Sequence, residues 1–232
     1  MNNMTYVVTD TLTMLRRTLI HMLRNPLMML LTTLGTPIIL LLLMYNLFGG
    51  AIQSTGITNS SYINYITPGI IMITVIYSTG MAALRVNSDM TQGIVARFKS
   101  MSISRSAILN GHVIGSAIGS LISVMVIFGL AHLMGFQSSA TVFEWLMAVA
   151  LIILYVIAMM WIAIAAGVWS KTPEAVNGIL YLLYILPFFS SAFVPTTSMT
   201  PVVKWIAENQ PFSPIIDTVR GLLLGTPIGN QG

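Results

Sequence analysis

The chain contains no cysteine. Disulfides, thiolate chemistry and cysteine-based metal sites are therefore excluded, and the redox compartment leaves no mark. Charge is nearly as scarce. Only 7% of the 232 residues are Asp, Glu, Lys or Arg, against about 25% in a soluble domain. With 56% hydrophobic residues and a mean hydropathy of +0.86, the chain has too few polar groups to clothe a globule in water. Its solvent is lipid.

Other absences narrow the function. The net charge of +4 rests on ten Lys and Arg residues that form no basic stripe, which argues against nucleic acid as a partner. No G-x-x-x-x-G-K-[ST] phosphate cradle occurs, so ATP hydrolysis by this chain is not expected. No cluster suggests a catalytic, cofactor or metal site. The first apolar run begins at Leu27, behind a polar and basic segment, and exceeds the length of a cleavable signal.

Five segments are long and apolar enough to span a hydrocarbon core, which takes about 20 helical residues. They are 27–48, 63–84, 107–134, 145–169 and 176–194, and none contains Asp, Glu, Lys or Arg. The expected fold is all-α, a polytopic helical membrane protein forming one transmembrane domain over 1–232. With the amino terminus in the cytoplasm, Arg16, Arg17, Arg24, Arg85, Arg97, Lys99, Arg105 and Lys171 lie inside. Only Lys204 and Arg220 lie outside.

Before the first span, Val8, Leu12, Leu15, Leu19 and Leu23 share one face of residues 6–24, with Asp10, Arg17, His21 and Arg24 opposite. This pattern predicts an amphipathic helix in the membrane plane, ended by Asn25-Pro26. Thr172-Pro173-Glu174 predicts a capped start for the fifth span. Pro37, Pro68 and Pro187 predict kinks. Beyond Val194, short apolar pieces between prolines predict an outer cap of short helices over 195–232.

Ion-coupled carriers place ionisable residues inside their spans. Here only His112 and His132 lie in apolar segments, both near span ends, where a structural role is expected. Energy for uphill transport would therefore arrive through a partner. Its natural entry is the inner loop 85–106. Within it, Asp89 to Met101 reads as a short helix with Ile94, Val95, Phe98 and Met101 on an apolar face, and Arg97 and Lys99 available to acidic groups or lipid phosphates. The same pattern suits a positive-inside loop lying on the membrane. Gly111, Gly115 and Gly119, joined by Ser116, Ser120 and Ser123, form a small-residue stripe suited to close helix packing, within the chain or against a second copy. Tyr77, Tyr155, Trp161, Tyr181 and Tyr184 are candidate linings of a path, though aromatic residues at such positions also pack against lipid.

The chain resembles the permease subunits of type-2 ABC exporters, the class that includes daunorubicin-resistance and nodulation-factor exporters. The resemblance rests on Asn25-Pro26, Phe48-Gly49-Gly50 and Tyr65-Ile66-Thr67-Pro68-Gly69-Ile70. It rests more strongly on Asp89-Met90-Thr91-Gln92-Gly93-Ile94 with Arg97 and Ser102-Ile103-Ser104-Arg105, on the block Leu186 to Pro195 with Met199, and on Pro211 to Gly225. It implies six spans, of which this chain supplies five. It also implies an in-plane connecting helix and a coupling helix on the inner loop, seated on a separate ATPase subunit that holds ATP and Mg. The coupling contacts would fall to Asp89, Gly93, Ile94, Arg97, Phe98, Lys99, Met101 and Arg105. A paired permease, a homodimer in the simplest case, would export drugs, lipids or glycans. Met101 stands where proline is frequent in the class, and Gln210 where asparagine is usual. The other readings are a non-transporting immunity or assembly factor and a facilitative carrier.

Overall fold

The computed structural model describes residues 11–13, 15, 16, 20, 26–53, 59–93 and 105–225. Among them, residues 11–13, 15, 16 and 20 are helical; the rest of the expected in-plane helix lies outside the described residues. Seven longer helices follow: α1 (Pro26–Gln53), α2 (Asn59–Thr91), α3 (Arg105–Leu133), α4 (Val142–Trp169), α5 (Pro173–Ile185), α6 (Pro201–Asn209) and α7 (Phe212–Leu224). No strand occurs among the described residues.

Three helical stretches are long and apolar enough to cross a membrane: Tyr62–Thr91, Leu109–Leu133 and Val142–Trp169. Leu31–Leu47 and Pro173–Phe189 are shorter apolar helices. Of the three, α2 is the most enclosed, whereas α3 and α4 leave about half their length open. Their open faces carry Ile114, Ile122 and Met125 on α3 and Leu146, Leu154, Ile157 and Trp161 on α4. In water such faces would be aggregation sites; in lipid they are the outer wall. Phe143 and Trp169, at opposite ends of α4, are highly exposed, as befits aromatic residues at a membrane interface.

The chain divides into two units. One comprises Met1–Thr33, Val75–Ser123 and Tyr155–Tyr181, the other Leu34–Thr74, Val124–Leu154 and Leu182–Gly232. The first has a core of Val75, Ile76, Ala83, Val86, Val156, Met160, Ala163, Val176 and Leu180. Here α2 and α4 approach closely at Gly167, where a Cβ would fall 2.6 Å from the Ala83 carbonyl oxygen. The second unit is built on Leu41, Ile63, Ile66, Ile70, Ile127, Phe136, Ile216 and Val219.

Helix ends obey local rules. At the end of α3, Gly135 has φ of 101°. The Phe136 N–H reaches the Ala131 carbonyl at 2.9 Å and the Gly135 N–H that of His132 at 3.1 Å, the two bonds of a Schellman motif. Phe136 is thereby turned inward, edge-on to Phe128 at 5.2 Å. Thr141 and Glu144 form a capping box at the start of α4. The Glu144 carboxylate accepts from the Thr141 N–H at 2.6 Å, and the Thr141 hydroxyl accepts from the Glu144 N–H at 3.3 Å.

Two boundaries differ from the sequence expectation. First, α2 does not stop at Leu84 but continues to Thr91, so Arg85 to Thr91 belong to a helix and not to the inner loop. Second, the stretch 176–194 is not one helix. Helix α5 ends at Ile185 and a 3-10 turn covers Leu186–Phe189. Pro187 has no N–H to continue the helical ladder, while the Ser190 N–H and hydroxyl both bond back to its carbonyl, at 3.2 and 2.6 Å. Beyond it, α6 and α7 are the short helices expected of the 195–232 segment.

Candidate functional site

The sequence directs attention to the junction between α2 and α3, which flank residues 94–104. In the last two turns of α2, Arg85, Asn87 and Asp89 each meet a different group. Asn87 is fully buried and donates to the Ser170 carbonyl at 2.6 Å and the Gly167 carbonyl at 3.2 Å. Those carbonyls belong to the end of α4, where the helix has no donors of its own to offer. Asp89 lies 3.2 Å from His112 Nε2 on α3. The Arg85 guanidinium donates to the Ser116 hydroxyl, also on α3, at 3.4 Å. The helix entering the junction is thus tied to the one leaving it and to the end of α4.

Of the site residues expected from the sequence, the structure places some and leaves five outside the described residues. Asp89 sits on α2, short of any separate coupling helix. Gly93 closes α2 in the left-handed conformation, φ 71°, with its N–H on the Met90 carbonyl at 3.3 Å. Ile94, Arg97, Phe98, Lys99 and Met101 lie outside the described residues. Arg105 opens α3. Gly111, Gly115 and Gly119 are buried, with Ser116, Ser120 and Ser123 beside them. The chain itself buries that stripe. Arg85, which with Asn87 completes the junction, was read only as an inside cation opening the loop, and Asn87 was not singled out, because a charge was taken to end a span.

A second polar cluster lies in the other unit. Arg220 of α7 is 6% exposed. Its Nε donates to the Tyr65 carbonyl at 3.1 Å, one Nη to the Ser191 carbonyl at 2.6 Å and the other Nη to Asp217. The guanidinium stands 3.8 Å from the centroid of the Tyr65 ring. The Tyr65 hydroxyl donates to the Ser191 carbonyl at 3.0 Å and the Ser191 hydroxyl to Asp217 at 2.7 Å. Tyr65, Ser191 and Arg220 come from three separate stretches that carried the resemblance, and they meet in one place.

The loop between α3 and α4 is pinned in the same unit. The Gln137 N–H donates to Asn64 at 2.9 Å, and the Ser138 hydroxyl donates to the Leu223 carbonyl at 2.5 Å, at the end of α7. Beside this loop a cavity of about 480 Å³ is lined by Phe128, His132, Phe136, Gln137, Ser138 and Trp145.

These features define a multi-pass helical membrane protein whose inward polar groups mainly clamp helices together. Among the described residues, no group of acidic and histidine side chains is arranged to hold a metal. The ABC-2 type transporter family model matches residues 9–224, and the chain belongs to that family. The daunorubicin resistance ABC transporter permease protein DrrB1 of Streptomyces coeruleorubidus is 28% identical over 191 residues, 82% of this chain and 66% of its own length. The probable doxorubicin resistance ABC transporter permease protein DrrC of Mycobacterium tuberculosis is 23% identical over 172 residues, 74% of this chain and 62% of its own. The chain thus spans about two thirds of the length of the curated relatives it matches.

Proposed function

We propose that this chain is the membrane-spanning permease subunit of an ATP-driven exporter, working with a separate ATPase subunit that holds ATP and Mg²⁺. It pairs with a second permease in a bacterial or archaeal plasma membrane, amino terminus inside, and moves an amphiphile such as a drug, lipid or glycan outward. Family membership and the absence of a phosphate cradle in the sequence support the division of labour. The names of the two relatives support a drug as substrate.

The observation that carries the mechanism is the Asp89–His112 contact with its neighbour at Asn87. Residues 94–104 connect two helices already fastened to each other. A partner that grips this segment would move α2 and α3 as a pair. Such a grip transmits force only if it favours one ATPase state over the other.

The test is purification of the tagged chain from detergent extract, with and without the double change Arg97→Glu, Phe98→Ala. The expected result is a co-purifying ATPase whose activity falls by roughly tenfold or more in the variant, consistent with the loss of a few interface anchors. Well-expressed wild-type chain with no ATPase bound would overturn the reading and favour an immunity or assembly role.

A further inference from the structure

Helix α6 presents three different faces within nine residues. Successive residues on an α-helix lie about 100° apart, which sorts its side chains into sectors. Ala207 is fully buried and Val203, its neighbour around the helix, is half-buried; this sector packs on the protein. Lys204 and Glu208, one turn apart, form a second sector and pair at 3.6 Å while partly exposed. Val202 and Trp205 form the third with half-buried Ile206, and they stand 72% and 67% exposed. Asn209, between them around the helix, turns back to donate to the Trp205 carbonyl at 2.8 Å.

This helix is fastened to the end of a membrane helix. It packs on the turn Leu186–Phe189, which closes the apolar helix Pro173–Phe189. The Gln210 amide, just past the end of α6, donates to the Phe189 carbonyl at 2.7 Å. Leu182, Phe188, Phe189 and Val194 are also exposed, so uncovered apolar side chains occur on both sides of the junction. On the membrane helix that surface has lipid as its solvent. A helix pinned to its last turn lies where the hydrocarbon ends, the level at which tryptophan is enriched. At roughly 1.5 Å per residue α6 is about 14 Å long, too short to cross. One apolar and one charged face, both turned away from the protein, suit a helix with lipid on one side and water on the other.

We propose that α6 is an interfacial anchor whose partner is the lipid surface. It lies in the plane of the bilayer surface, with Val202, Trp205 and Ile206 at the boundary between headgroups and acyl chains and Lys204 and Glu208 in water. Through Gln210 it holds the end of the membrane helix at that level. This placement holds with or without an ATPase partner, and in either orientation of the chain.

The absence of cysteine allows one label per chain. Val202→Cys and Glu208→Cys, both at exposed positions, are made in the full chain, labelled with the same environment-sensitive fluorophore and incorporated in phosphatidylcholine nanodiscs. Lipid brominated high on the acyl chain should quench the label at 202 roughly threefold more than the label at 208, and iodide in the buffer should show the opposite preference. A second arm leaves Trp205 as the only tryptophan through Trp145→Phe, Trp161→Phe and Trp169→Phe, and its emission should be quenched by the same brominated lipid. Equal access of iodide to both labels would place α6 in water and overturn the anchor. Shielding of position 202 from bromine and iodide alike would overturn it too, by assigning that face to protein, whether a second copy or another segment.

Discussion

A guanidinium taken out of water is tolerated only when its donors are matched, and Arg220 meets that demand. Arg220 has the Tyr65 and Ser191 carbonyls, the Asp217 carboxylate and the face of Tyr65 around it. It therefore acts as a staple joining α7, α2 and the Ser190–Pro195 turns. Replacing it with methionine keeps much of the volume but removes one donor each from the Tyr65 and Ser191 carbonyls and from Asp217, the last two of which keep the Tyr65 and Ser191 hydroxyls. Arg220→Met should cost about 2 kcal/mol, in the range of hydrogen bonds made by a charged group, because Asp217 is 41% exposed and stays solvated. Detergent thermal melts would read this as a lowered midpoint, and an unchanged midpoint would mean that lipid or water replaces the staple. None of this was legible from the residues alone. The sequence put Arg220 in an outer cap as one of two outside cations. Its carbonyl partners lie 29 and 155 positions away, beyond the reach of any local pattern; only Asp217, three residues before it, is local.

At the scale of the element, what was legible is what local physics controls. Long runs without charge marked α1 to α5, and Pro26 and Pro173 marked helix starts, because those signals act within a turn or two. The errors came where tertiary partners overrode a local rule. A charge-free criterion ended the second span before Arg85, yet α2 runs on to Thr91 because Asn87 and Asp89 find partners on α4 and α3. The capping box at Thr141 and Glu144 was readable, but the span was begun at Trp145, after it. Glycines show the same division. Gly167 and Gly178 both sit inside the apolar pattern, but a Cβ on Gly167 would lie 2.6 Å from the Ala83 carbonyl, while at Gly178 nothing lies within 4 Å. Gly167→Ala should therefore destabilise by about 1–3 kcal/mol through overpacking of α2 against α4. Gly178→Ala should gain up to about 1 kcal/mol from helix propensity. Melting the two variants side by side separates the effects, since a shared direction would mean that packing at Gly167 does not set the distance between those helices.

For the molecule as a whole, the strongest sequence argument is the distribution of basic residues, which predicts an amino terminus inside. Of the two cations assigned to the outside, Arg220 is enclosed by protein and Lys204 pairs with Glu208 at 3.6 Å. The absence of cysteine makes the orientation testable without background. Gln92, at the end of α2, and Thr197, in the 3-10 turn before α6, are both exposed, so each accepts a cysteine without entering the core. A membrane-impermeant maleimide applied to intact cells should label Thr197→Cys, and should reach Gln92→Cys only after permeabilisation. The reverse pattern would invert the topology. It would place residues 94–104 outside the cell, where no ATP-fuelled partner could reach them, and the proposed coupling would fall with it.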